Sequence, residues 1–185
     1  NKGEFPYLNV ADKDFFFIPK CKPNEIVTTI LELCDRRLPN FNGYDSLADI
    51  QVLTPMKKGE VGINALNKHL QETLNPKGIG KEEKKIGNDI FRVGDKVMQI
   101  KNNYTIEWKI YDNGKMKEEG EGVYNGDFGF ITYIDEEDRI LKVLFDGEKE
   151  VEYDFKQLDE LKLAYATTVH KSQGSEFPVV IMPIS

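Results

Sequence analysis

This 185-residue chain predicts an α/β fold interrupted by a small all-β insertion. Three observations carry that prediction. Residues 1–87 alternate strand-like and helix-like apolar patterns, as parallel α/β layers do. Residues 88–161 offer no convincing helix, only short strands separated by Asn-Gly and Asp-Gly turns. After residue 161 an apolar strand-like run returns. Residues 1–87 and 162–185 therefore read as one discontinuous, truncated domain, and residues 88–161 as an inserted antiparallel barrel.

The elements follow in order. Asp14-Phe-Phe-Phe-Ile-Pro19 is a short, β-rich apolar run that predicts a buried strand. Pro23-Asn24 opens a helix to about Arg37, with Ile26, Val27, Ile30, Leu31 and Cys34 at helical spacing. Arg36 and Arg37 suit the negative end of its dipole, and Pro39 with Asn40 and Gly43 is expected to break it. Asp49–Thr54 predicts a second strand. A helix from about Gly62 to Leu74 carries Ile63, Leu66, Leu70 and Leu74 on one face. Asn75–Lys85 reads as a linker. Five strands follow, at Lys96–Ile100, Trp108–Tyr111, Phe128–Ile134, Ile140–Phe145 and Val151–Phe155. Lys115–Glu121 reads as a solvated loop.

Composition narrows the function classes. No apolar run approaches the roughly eighteen residues of a membrane-spanning helix, so no membrane role is expected. The N-terminus has neither a starting Met nor an apolar signal core, which points to the cytoplasm. Cys21 and Cys34 lack C-x-x-C spacing and the histidines are only His69 and His170, so free thiols and no metal site are expected. Residues 87–163 hold 19 acidic and 11 basic side chains, whereas residues 1–86 are nearly balanced. That excess argues against the middle segment as a broad phosphate-binding surface. With no starting Met, and with a strand-like run ending at Ser185, the chain reads as a piece of a larger protein.

The densest chemistry lies in Thr168-Val-His-Lys-Ser-Gln-Gly-Ser-Glu-Phe177, a polar block between apolar stretches. Two readings stay open on the residues alone. One is a ligand-facing loop: backbone amides near a glycine approach phosphate, a carboxylate accepts from a ribose hydroxyl, and Thr or His donates to nucleic-acid phosphate. The other is a polar turn with Glu176 capping backbone and His170 bonded in the interior.

The pattern T-x-H-K-x-Q-G-x-E-F resembles motif V of superfamily 1 helicases, most closely the RecD-like branch. Val52–Gly59 with Gly62, Leu66 and Asn67, and Val93–Tyr104 with Tyr124–Gly129, resemble the stretches before and within that family's inserted barrel. Asn1–Pro6 resembles the start of its second motor domain. The resemblance implies a partial RecA-like parallel sheet of the P-loop NTPase type, interrupted by an SH3-like barrel. It implies an ATP-dependent DNA helicase, moving 5′ to 3′ on single-stranded DNA in recombination or repair.

Carried over residue by residue, it makes Gln173, Gly174 and Glu176 nucleotide-facing. It makes Thr168, His170 and, more weakly, Lys171 DNA-facing, with Thr54 and Lys57 as further candidates. For Thr54 and Lys57 a strand-end turn competes, and Asn67 reads as a structural hydrogen bonder. Tyr104, Trp108, Tyr111 and Tyr124 would either stack on bases or fill the barrel.

The implied cofactors are ATP and Mg2+ in the full-length parent, with none bound by this piece alone. The implied partners are single-stranded DNA, the upstream motor domain of the same chain, and helicase or nuclease subunits. No G-x-x-x-x-G-K-[ST] loop, acidic magnesium-holding motif or matching arginine is present, so no catalytic residue is assigned here and the piece alone is expected to be inactive. The competing reading is a non-catalytic nucleic-acid or protein binding module with vestigial motor motifs.

Overall fold

The computed structural model describes residues 14–184; the start-of-domain resemblance at Asn1–Pro6 lies outside them. The Phe-rich run expected as a strand is extended but forms none, and Phe15, Phe16 and Phe17 stay about half exposed. Strand preference expresses packing on a pleated, half-buried surface, whereas these side chains keep about half of their surface exposed.

Helix α1 (Pro23–Glu32) has Pro23 in its first turn and buries Val27 and Ile30. A π-helical turn, Leu33–Arg37, buries Cys34 and leads into α2 (Leu38–Asn42). Pro39 therefore does not end the helix. The Leu38 N–H bonds back to the Leu33 carbonyl, and this wider turn admits a proline in the first turn of α2. Gly43 ends the helix at φ 70°.

Strand β1 (Ile50–Leu53) is buried along its whole length, as a strand covered on both faces must be. It is the centre of a three-stranded sheet, between β11 (Ala166–Thr167) and β12 (Val179–Ile181). Both pairings are parallel, with Val52 opposite Ala166 and Ile181. The Gln51 amide donates to the Ala164 and Tyr165 carbonyls, 113 and 114 residues onward. Helix α3 (Ile63–Leu74) packs Leu66 and Leu70 into the core.

Most of the remaining chain is antiparallel. The expected linker contains β2 (Glu83–Ile86), which pairs with β3 (Asp89–Arg92). A seven-stranded sheet combines β4 (Lys96–Gln99), β5 (Asn103–Asp112), β6 (Lys115–Val123), β7 (Phe128–Asp135), β8 (Ile140–Phe145), β9 (Lys149–Asp154) and β10 (Leu161–Leu163). Its order is β10-β4-β7-β8-β9-β5-β6. The fold is thus mixed and mostly antiparallel, with a small parallel sheet.

The turn residues act as expected: Asn113 and Gly114 at φ 50° and 76°, and Asp146 and Gly147 at φ 52° and 75°, close β5–β6 and β8–β9. Lys115–Glu121 is not a loop. It belongs to edge strand β6, whose exposed charges discourage pairing with another chain.

A polar seam joins the two sheets. Asn67, Gln71 and Asn75 lie four residues apart, on one side of α3 and at its end. Asn67 exchanges hydrogen bonds with the Ala166 backbone, at 2.8 and 3.0 Å. Gln71 and Asn75 both donate to the Asp95 carboxylate, which also accepts from the Arg92 N–H and the Tyr165 hydroxyl. Asp95 has no exposed surface, and burial pushes its carboxyl up against the pull of those donors. Arg92, itself buried, pairs with Glu72 and Glu83.

Candidate functional site

The polar block begins where β11 ends, beside the end of β1. The Thr54 N–H bonds to the Thr167 carbonyl at 2.9 Å, so both strands release their loops at one edge. In an open parallel sheet, the carboxyl ends of the strands are where ligands bind.

From Thr168 the chain enters a 3-10 turn, His170–Ser172. The Lys171 and Ser172 N–H groups donate to the Thr168 carbonyl, and the Lys171 N–H also reaches the Thr168 hydroxyl oxygen at 3.2 Å. Thr168 thus closes the turn itself. The Ser172 hydroxyl donates to the Val169 carbonyl and is buried. His170 and Gln173 are exposed on the turn. Gly174, at φ 91°, reverses the chain in a conformation that strains any side chain. Glu176 is exposed, and β12 then returns alongside β1. His170 is therefore not bonded in the interior, and Glu176 caps no backbone group among the described residues.

The other candidates separate. Thr54 is fully buried: its hydroxyl donates to the Val61 carbonyl at 3.0 Å and accepts from the Met56 N–H at 3.2 Å. It closes the loop before α3 and offers nothing to a ligand. Lys57 lies exposed on that loop and forms no ion pair among the described residues. Lys171 is drawn aside, its ammonium donating to the Asn125 side chain at 2.6 Å. Asn67 is structural, as expected.

Beside the turn lies an open cleft of about 340 Å³, lined by Gly174 and Glu176 on one side and by Gly126, Asp127 and Asp146 on the other. Three carboxylates at one opening disfavour phosphate and favour hydroxyl donors. The exposed Glu176 carboxylate is an acceptor open to a hydroxyl donor at this cleft. Among the described residues, no group of three His, Cys, Asp or Glu could hold a metal ion.

Sequence reasoning missed what anchors this turn. Phe177 meets Phe128 edge to face at 5.3 Å, and the Lys96 ammonium sits 5.0 and 5.7 Å from the two rings. The same ammonium donates to the Leu47 and Ile50 carbonyls, at 2.7 and 3.4 Å. Burial lowers the Lys96 pKa to about 8, opposed by Cys34, Asp45 and Asp49. Burial also holds the Cys34 thiol at about 12. One lysine thereby links the approach to β1, strand β7 and the end of the polar turn.

The four barrel aromatics divide as well. Trp108 is half-buried against Gly120, whereas Tyr104, Tyr111 and Tyr124 are exposed.

Comparison with known proteins matches two family models. Residues 66–145 match the SH3 domain of ATP-dependent RecD-like DNA helicases, and residues 163–185 match the UvrD-like helicase C-terminal domain. Among curated relatives, the ATP-dependent RecD2 DNA helicase of Deinococcus radiodurans is 39% identical over 132 residues, 71% of this chain and 16% of that protein. The RecBCD enzyme subunit RecD of Buchnera aphidicola subsp. Acyrthosiphon pisum is 35% identical over 135 residues, 72% and 19% of the two chains. An uncharacterized protein of Methanocaldococcus jannaschii is 33% identical over 178 residues, 90% and 15%. The chain spans less than a fifth of each of these relatives.

Proposed function

The chain belongs to the RecD-like DNA helicases, and from that premise we propose that it works as part of an ATP-dependent helicase moving 5′ to 3′ on single-stranded DNA. In this reading the three-stranded parallel sheet, with α1–α3, belongs to the second RecA-like motor domain. The antiparallel sheet is its inserted SH3-like barrel, residues 88–161, with β10 crossing the boundary to pair Lys162 and Leu163 with β4. The observation that carries the reading is the polar turn at the carboxyl end of β11, which exposes His170, Gln173 and Glu176 from one compact bend.

Each side chain then has a task. Thr168 and His170 hold the DNA backbone, and Lys57 adds a cation from the neighbouring loop. Gln173 and the Gly174 backbone face nucleotide, and Glu176 accepts from the ribose. ATP with Mg2+ supplies the phosphoryl transfer that drives movement, on groups carried by the upstream motor domain. The Lys96–Phe128–Phe177 contact ties the turn to the barrel, so a shift at the cleft reaches the strand side. By analogy with the RecD subunit among its relatives, the parent works with helicase or nuclease partners.

The test uses the full-length protein. Thr168→Ala and His170→Ala should reduce the stimulation of ATP hydrolysis by single-stranded DNA, while Glu176→Ala should raise KM for ATP. Wild-type protein with no DNA-dependent hydrolysis would leave a binding module with vestigial motor motifs.

A further inference from the structure

We propose that Tyr104 and Tyr124 form a stacking platform for an unpaired base of single-stranded DNA, beside the polar turn; the proposal rests on the helicase reading above. The two rings are 65% and 47% exposed, so neither fills the interior. They meet edge to face at 5.8 Å and 67°, which leaves ring surface open to a flat ligand.

The platform is preset. The Tyr104 hydroxyl accepts from the Asn102 side-chain amide at 3.1 Å, and the Asn102 side-chain oxygen Oδ1 accepts from the Asn125 backbone N–H at 2.9 Å. The Tyr124 N–H is held by the Asp127 carboxylate at 2.8 Å. Gly122, at φ +101°, lies directly against the Tyr124 ring: a Cβ there would be 2.7 Å from the Tyr124 hydroxyl. The ring occupies space that only glycine leaves free.

The platform is also joined to the proposed DNA-facing turn. Asn125, which braces Asn102, receives the Lys171 ammonium at 2.6 Å. Gly126 lies beneath the Lys171 carbonyl, with room for an added Cβ at 3.6 Å. The turn is thus hydrogen-bonded to the loop that carries Tyr124 and braces Tyr104. This also gives Lys171 a role: its charge sits at the joint, between the strand's path and the rings.

Charge selects the kind of contact. Asp127, Asp146 and Glu176 line the adjoining cleft and repel phosphate. A ring face needs no cation, because every base presents a π-face. The contact is base to ring, indifferent to sequence, and closed to bases already stacked in a duplex.

The experiment measures binding of the full-length protein to oligothymidylate and to an abasic strand of equal length. Tyr104→Ala with Tyr124→Ala should weaken oligothymidylate binding about tenfold, the order that base–aromatic stacking supplies. Abasic binding should be unchanged. The paired Phe substitutions should retain affinity, and the paired Leu substitutions, which keep bulk without a π-face, should lose it. Thermal unfolding should not move, since the rings are exposed. Equal oligothymidylate affinity in the double alanine variant, or an equal loss on the abasic strand, would overturn the platform and leave the helicase reading standing. Failure of the wild type to bind oligothymidylate would overturn both.

Discussion

Asp95→Asn is the sharpest test of what holds the two sheets together. One carboxylate oxygen accepts from Gln71 at 2.6 Å and the Arg92 N–H at 2.7 Å; the other accepts from Asn75 and the Tyr165 hydroxyl, both at 2.7 Å. An asparagine must turn an NH2 toward one of these pairs. The Arg92 backbone N–H cannot reverse, whereas the Tyr165 hydroxyl can rotate and accept. The amide nitrogen therefore points at Asn75 and Tyr165. Asn75 cannot flip without presenting its own NH2 to the Lys81 ammonium, which it now receives at 2.6 Å.

One buried donor left facing a donor costs about 1–3 kcal/mol. The bonds that remain lose their charge assistance, at very roughly 1 kcal/mol together. Removing a buried charge returns part of this, as the upward push on the Asp95 carboxyl indicates. The net loss is about 2–3 kcal/mol, or roughly 4–12 °C in Tm for a chain of this size. Thermal unfolding followed by circular dichroism reads it. Tyr165→Phe should cost less in the Asp95→Asn background than in the wild type, because the hydrogen bond it removes there is no longer charge-assisted. A Tm within 1 °C of wild type for Asp95→Asn, or strict additivity of the pair, would refute the seam.

Three further outcomes are expected. Lys96, lowered from 10.5 to about 8 by burial, penalises the fold while charged, fully so below pH 8. The stability of wild type relative to Lys96→Met should therefore rise with pH from about 8 to 10.5, by up to about 3 kcal/mol; urea titrations along that range measure it, and the comparison cancels the opposite trend from Cys34. Gly120→Ala would place a Cβ 2.4 Å from the Trp108 ring, so it should cost about 1–3 kcal/mol and shift the emission of the single tryptophan to longer wavelength. Thr54→Val should lower stability by about 1–2 kcal/mol without changing DNA affinity in the full-length protein, and Lys57→Ala should do the reverse.

What the sequence disclosed was local. Asn113-Gly114 and Asp146-Gly147 were legible because positive φ is a demand on single residues. Strand β1 was legible because Ile50, Val52 and Leu53 are apolar, strand-favouring residues broken only by Gln51. Strand β6 was not: Lys115–Gly122 has no apolar face, and its backbone ladder to β5 holds it. Pro39 misled because a π-turn leaves no trace in hydrophobic spacing. In the site, the order of Thr168 to Glu176 was readable, but the inward turn of the Thr54 hydroxyl and the sideways reach of Lys171 depend on distant segments. Nor could spacing separate Trp108, packed on a glycine, from Tyr104, left in solvent. Asn67 was readable as a structural hydrogen bonder, but its continuation through Gln71 and Asn75 to Asp95 was missed, although the four-residue spacing beside an apolar stripe could have signalled it.

The separation between β1 and its partners also sets the order in which the chain can fold. Gln51 waits for Ala164, 113 residues onward, and a loop of that length closes slowly. The antiparallel strands, most of them paired with a near neighbour, are complete well before residue 181 leaves the ribosome. Once they have condensed, Asp95 on one side and Tyr165 on the other lie within a hydrogen bond of each other. The long excursion is then a short one, and β11 arrives beside β1 already in register. A variant that slows the folding of the antiparallel strands is therefore expected to slow the appearance of the parallel sheet by the same factor.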